Sequence, residues 1–217
     1  MTAGLVIFDC DGVLVDTEPV SNRLLAEAIG RTGMPMSVEE VTEAFAGMRL
    51  QDIAAAVERR LEEKLPGDWV AAFEKRRAAE FRKRVDAIPG IADALASIKA
   101  AGIQVCVASQ AAQEKTKLTL SVSGLITHFD EGALFSSRMV ERGKPSPDLF
   151  LLAARSMGFQ PADCVVVEDG ILGARGGARA GMRVLGYAPD GKDGALAREG
   201  PATFQSMKEL PALLGLT

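Results

Sequence analysis

A three-layer α/β domain on a parallel sheet, interrupted by a block of helices, is the fold class this sequence predicts. Three observations carry that expectation. Short apolar runs rich in Val and Ile recur along the chain, amphipathic helical segments separate the later ones, and residues 17–88 show helical pattern with no convincing strand. Apolar runs without polar alternation suit strands covered on both faces, and strand–helix alternation suits a parallel sheet with helices packed against it.

The elements follow in order. "LVIFD" (5–9) reads as the first strand and "VLVDTEP" (13–19) as an outgoing linker. Four helical segments come next, "SNRLLAEAIGRTG" (21–33), "SVEEVTEAFAG" (37–47), "LQDIAAAVERRLEEK" (50–64) and "DWVAAFEKRRAAEFRKR" (68–84), before the return linker "RVDAIPG" (84–90). That is more chain than a crossover requires. Residues 17–88 are therefore expected to form a helical domain inserted into a core of residues 1–16 and 89–217. "IADALASIKAAG" (91–102) is a helix with a glycine stop, and "IQVCVAS" (103–109) is the second strand. "SPDLFLLAARSMG" (146–158) starts with Ser-Pro and ends in Gly, as a helix does. "CVVVED" (164–169) and "RVLGYA" (183–188) are further strands, and the Ala/Gly-rich "LGARGGARAG" (172–181) between them can lie close to a sheet. Residues 188–201 have the turn chemistry of a surface loop.

Composition narrows the function classes. With 47% hydrophobic residues in 217, the chain can bury a sizeable core, and a net charge of −4 gives no basic face for nucleic acid. The basic cluster "EKRRAAEFRKR" (74–84) is interleaved with Glu and reads as a solvated helix face. No apolar stretch approaches the roughly 20 residues of a membrane span, and no charged leader precedes the first apolar run. Cys10, Cys106 and Cys164 lack metal-type spacing and sit in or beside apolar runs, so buried reduced thiols are expected. These features predict a cytoplasmic protein without nucleic-acid or membrane partners, a monomer or weak dimer.

The chemistry is concentrated at strand ends. Asp9 and Asp11 follow the first strand, Ser109 ends the second, and Glu168 and Asp169 end a later one. In an open parallel sheet, ligands bind beyond the carboxyl ends of the strands. Two carboxylates about 4 Å apart repel by roughly 1 kcal/mol in water and about 4 kcal/mol at an effective dielectric near 20. A turn or helix cap explains any one of these acids, since Asp11-Gly12 and Asp169-Gly170 are both turn signals. Two acidic pairs, each directly after an apolar strand, instead match a Mg²⁺ site sharing its shell with phosphate. His128, the single histidine, is expected to be partly buried and without a catalytic part.

On these residues the chain resembles the haloacid dehalogenase superfamily. "FDCDGVLVDTEP" is similar to its first signature, "VCVAS" to its second, "ERGKPSPDLF" to its third and "VVVEDGILGARGGARAGM" to its fourth, all in order along essentially the whole chain. The 17–88 insert resembles the α-helical cap of the β-phosphoglucomutase-like subfamily. The resemblance implies a Rossmann-like core and a Mg²⁺-dependent phosphatase acting on a small phosphorylated metabolite, a sugar or sugar-acid phosphate. It implies Asp9 as nucleophile, Asp11 as general acid and base, and Lys144 and Ser109 as partners of the transferring phosphoryl group, with Gln110 beside them. Asp9, Asp169 and the main-chain carbonyl of Asp11 would hold the metal, with Glu168 in support.

The match departs from the pattern at several positions. Gly170 follows the acidic pair where many relatives carry Ser, and Gln110, Ala111 and Ala112 follow Ser109 in place of Asn, Gly or Ser. A sugar phosphomutase of the subfamily carries His at the position of Ser21, and its cap turn places Arg one residue later than in Gly47-Met48-Arg49-Leu50. These differences favour a phosphatase over the mutase alternative and leave Glu18 and Arg49 as candidate substrate-selecting residues. A dehalogenase, which lacks the second Asp of the first signature, and a non-catalytic phosphate-binding module remain as further alternatives.

Overall fold

The structure is a computed structural model and describes residues 3–45, 48–189, 191 and 194–216. Gly47 of the 47–50 turn lies outside the described residues, as do 190, 192 and 193 of the 188–201 loop. Along the chain come β1 (Leu5–Phe8), β2 (Val15–Asp16), α1 (Glu18–Gly30), α2 (Val38–Phe45), α3 (Leu50–Leu61) and α4 (Trp69–Phe81). Then follow β3 (Asp86–Ala87), α5 (Ile91–Ala100), β4 (Gln104–Ser109), α6 (Gln113–Val122), β5 (Leu134–Ser136) and α7 (Asp148–Ser156). β6 (Cys164–Glu168), α8 (Ile171–Arg179), β7 (Arg183–Tyr187) and β8 (Ala202–Phe204) complete the principal elements. One-turn helices at Gly194–Ala197 and Leu210–Leu213 flank β8, so part of the expected 188–201 loop is helical.

Six strands form one sheet in the order β5-β4-β1-β6-β7-β8, and every pairing in it is parallel. All residues of β1 and β6 are buried, which requires cover on both faces and explains their unbroken apolar runs. Helix α5 buries Ile91, Ala94, Leu95 and Ile98, the one-face spacing of a 3.6-residue period. Helix α7 packs against β1, β4 and β5, and α8 against β6 and β7. The small residues of α8 allow a close approach: a Cβ at Gly177 would stand 2.9 Å from the Val184 Cγ2 atom of β7.

Contacts divide the chain into two compact units, Met1–Asp16 with Val85–Thr217, and Thr17–Arg84. The second crossing comes earlier than the break expected after residue 88. Residues Asp86 and Ala87 pair antiparallel with Asp16 and Val15, and the Ile88 amide donates to the Leu14 carbonyl at 2.9 Å, which ties the return segment to the sheet-bearing unit. Among the described residues, four helices make the Thr17–Arg84 unit. Its own core gathers Leu24, Ile29, Val41, Ile53, Val57 and Phe73. Strands β5 and β8 were not among the expected elements; at three residues each they are too short to show a period. No helix among the described residues is long and apolar enough to cross a membrane.

Candidate active site

β1 lies between β4 and β6, so the sheet grows outward in opposite directions from its centre, the kind of switch point beyond which open α/β sheets bind ligands. Register brings the tips together. Phe8 is level with Val107 of β4 and Val167 of β6, which sets Asp9 beside the ends that carry Ser109 and Glu168. The Asp9 amide continues the ladder by donating to the Val167 carbonyl at 2.9 Å.

Asp9, Glu168 and Asp169 each offer an oxygen within 4.8 Å of the others. The Lys144 ammonium pairs with both Asp9 and Glu168, and its side chain is only 3% exposed. Its nitrogen also lies 5.3 Å from the centre of the Phe150 ring, a cation–π distance. Glu168 accepts a second hydrogen bond from the Gly170 amide at 3.3 Å, so the backbone serves this acid where a serine side chain is absent. Glycines make the room. A Cβ at Gly173 would overlap the Glu168 carboxylate, and one at Gly12, whose φ is +80°, would overlap that of Asp169.

Burial and charge act unequally on the pair. Burial raises the Asp9 carboxyl from 3.8 to about 7; the Lys144 charge opposes this, and Glu168 adds to the rise. Burial also disfavours the Lys144 ammonium, yet the charges of Asp9 and Glu168 more than offset it and hold that amine above its ordinary value. The asymmetry is stoichiometric. One ammonium has two carboxylates, whereas each carboxylate has half an ammonium.

Asp11 stands apart from the three-acid group and pairs instead with Lys115, in the first turn of α6. Sequence reasoning missed Lys115, because a lysine near a helix start reads as solvated; only the fold brings it across 104 positions. Among Asp9, Asp11, Glu168, Asp169, Lys115 and Lys144 the formal charge is 2 − 4 = −2, which suits a divalent cation. The all-oxygen donor set also fits a hard ion such as Mg²⁺.

Ser109 is 1% exposed, and its hydroxyl accepts from the Ala111 amide at 3.1 Å. The residue at the N-cap of α6 is Ala112. Ser109 therefore braces the turn between strand and helix. Gln110 spends its side chain on the main chain of Lys144: Nε2 donates to the carbonyl at 3.2 Å, and Oε1 accepts from the amide at 3.1 Å. All three cysteines are free and buried, Cys10 included. His128 is partly buried, and its carbonyl accepts from Lys99 at 2.9 Å.

Glu18 and Arg49 belong to the Thr17–Arg84 unit. Arg49 precedes α3, and its guanidinium forks onto Asp52 at 2.8 and 3.4 Å. Glu18 is exposed in the first turn of α1.

Comparison with known proteins gives the family. The chain is 30% identical over 213 residues to a 6-phosphogluconate phosphatase of Escherichia coli, covering 96% of this chain and 93% of that one. It is 30% identical over 215 residues to a phosphorylated carbohydrates phosphatase of Thermotoga maritima, covering 94% and 95%. A crystal structure of a hydrolase of the same family from Deinococcus radiodurans, with bound phosphate and sodium, matches at 31% identity with a TM-score of 0.79, covering 99% and 96%. The family model for haloacid dehalogenase-like hydrolases matches residues 4–181, and with strand tips, glycines and lysine in this arrangement the chain belongs to the haloacid dehalogenase-like hydrolase family.

Proposed function

We propose that the protein is a Mg²⁺-dependent phosphatase that hydrolyses a small phosphorylated metabolite, a sugar or sugar-acid phosphate. The observation that carries the reading is the junction of Asp9, Glu168 and Asp169 at the sheet's switch point, with the buried Lys144 ammonium paired to the first two. Relatives named for 6-phosphogluconate and for phosphorylated carbohydrates support the substrate class.

Asp9 and Asp169 would hold the metal with the main-chain carbonyl of Asp11, and Glu168 would fix the surroundings through Lys144 and Gly170. When bound, the ion supplies positive charge that offsets the repulsion between a carboxylate and a phosphate dianion. An oxygen of Asp9 attacks phosphorus, and the bond from phosphorus to the ester oxygen breaks. Asp11 delivers a proton to the departing alcohol oxygen. It then takes a proton from water as that water attacks the phosphorus of the aspartyl-phosphate, which releases inorganic phosphate and restores Asp9. Lys144 neutralises charge on the transferring group as a point charge on a flexible stem. Ser109, with the turn it braces, supplies hydrogen bonds to the phosphoryl oxygens.

In this reading Glu18 and Arg49 of the Thr17–Arg84 unit select among phosphorylated metabolites. Ser21 in place of His and the early Arg49 favour water, rather than a second sugar hydroxyl, as the final acceptor. Turnover of p-nitrophenyl phosphate and of a panel of sugar phosphates, with and without Mg²⁺, tests the reading. Turnover that requires Mg²⁺ and disappears in Asp9→Asn is expected; metal-independent turnover, or an Asp9→Asn variant as fast as the parent, contradicts it.

A further inference from the structure

We propose that Gln110 is a positioning residue for Lys144, clamping its main chain so that the ammonium is held between Asp9 and Glu168. This rests on the preceding reading, in which Lys144 faces the transferring phosphoryl group.

The loop that carries Lys144 is held by side chains and turn bonds rather than by regular structure. Residues 140–147 form no strand ladder or helix to fix the main chain. Away from Lys144 the loop is tied at its two ends: the Val140 amide donates to the Ser137 carbonyl at 3.4 Å, Arg142 forks onto Asp148 at 3.1 and 3.2 Å, the Ser146 hydroxyl donates to Asp148 at 2.8 Å, the Ser146 amide donates to the Gly143 carbonyl at 2.9 Å, and Arg179 Nη1 donates to the Pro145 carbonyl at 3.0 Å. Lys144 itself is tied by the Gln110 side chain, which donates to its carbonyl and accepts from its amide at 3.2 and 3.1 Å. Both ends of one carboxamide are thus engaged by one residue's main chain, as a neighbouring strand would engage it.

The clamp is anchored in turn. The Gln110 carbonyl accepts from the Ser137 hydroxyl at 2.7 Å, and the Ala111 carbonyl accepts from the Ser136 hydroxyl at 2.6 Å. Those serines lie at the end of β5 and just after it, so the carboxamide is held to the sheet and bridges 34 positions of sequence. The residue before Lys144 is shaped to admit it. A Cβ at Gly143 would stand 2.5 Å from the Gln110 Oε1 atom and 3.2 Å from the Ser137 Cβ atom. Shorter side chains at position 110 cannot reach in the same way, and Ala removes both bonds. A flexible lysine stem transmits any shift of its own main chain to the ammonium, and misplacement by about 1 Å can cost up to 10²-fold in rate.

The test is a double-mutant cycle on p-nitrophenyl phosphate turnover with Mg²⁺, using the full chain and accompanied by thermal melts. Lys144→Ala is expected to lower kcat about 10² to 10³-fold. Gln110→Ala should lower kcat about 10 to 100-fold. In the Lys144→Ala background it should cost less than about twofold, because no ammonium remains to be positioned. Gly143→Ala should displace the carboxamide without touching Gln110, reproduce the Gln110→Ala loss, and add nothing to it. That variant serves also if Gln110→Ala folds poorly. The same Gln110→Ala loss in both backgrounds, or a parental kcat for Gln110→Ala or Gly143→Ala, overturns the inference. A parental kcat for Lys144→Ala instead overturns the functional reading on which the inference stands.

Discussion

Asp9 is 8% exposed and shares a single ammonium with Glu168, so its charge is poorly compensated. The consequence is a stability that depends on pH in a particular sense. With the carboxyl raised from 3.8 to about 7, the folded chain binds more protons than the unfolded chain between those values. The contribution of Asp9 to metal-free stability therefore falls as pH rises through that window. Thermal midpoints in EDTA should show Asp9→Asn gaining on the parent as pH rises from about 4 to about 7; a constant difference contradicts the assignment. Other residues teach a different lesson. The gathering of Asp9, Glu168 and Asp169 was legible because apolar strands do not end in acids by default, whereas Asp11, expected with them, stands apart. Lys115 and the clamp role of Gln110 were not legible, since each depends on a partner that only the fold supplies.

At the scale of elements, strand tips deliver the acids and helix glycines leave space for them. Gly173 of α8 is the sharpest case. Alanine there would gain up to about 1 kcal/mol of helix propensity, but its Cβ would overlap the Glu168 carboxylate. That carboxylate is held by Lys144 and the Gly170 amide, so moving it breaks a buried pair, and such losses run to about 3–5 kcal/mol. Gly173→Ala should thus lower the thermal midpoint, with a net cost on the order of 2 kcal/mol, and slow turnover at least about tenfold. A raised midpoint would mean that propensity alone decides. The same contrast explains what could be read beforehand. β1, β4, β6 and β7 announce themselves as Val- and Ile-rich runs, whereas β5 and β8, three residues each, exist through pairing with a neighbour already in place.

Across the whole molecule, the order β5-β4-β1-β6-β7-β8 sets the first strand of the chain at the centre of the sheet, flanked by strands about 100 and 160 residues away. Carboxylates remote in sequence are thereby gathered beyond the strand tips with two lysines, leaving a formal charge of −2 among the six charged side chains. The division into a sheet-bearing and a helical unit was foreshadowed by the long helical stretch after β1. The exact crossing was not, because it rests on a two-residue pairing of Val15 and Asp16 with Ala87 and Asp86. All of this converges on one claim, that an Asp9 oxygen becomes bonded to phosphorus. Replacing Asp11, the proposed acid and base, should slow release of that bond, so the direct measurement is mass spectrometry of Asp11→Asn mixed with Mg²⁺ and a phosphorylated substrate that the parent hydrolyses. The account predicts one phosphoryl group on the peptide carrying Asp9; a phosphoryl group on another peptide, or parental turnover by Asp11→Asn with none, would contradict it.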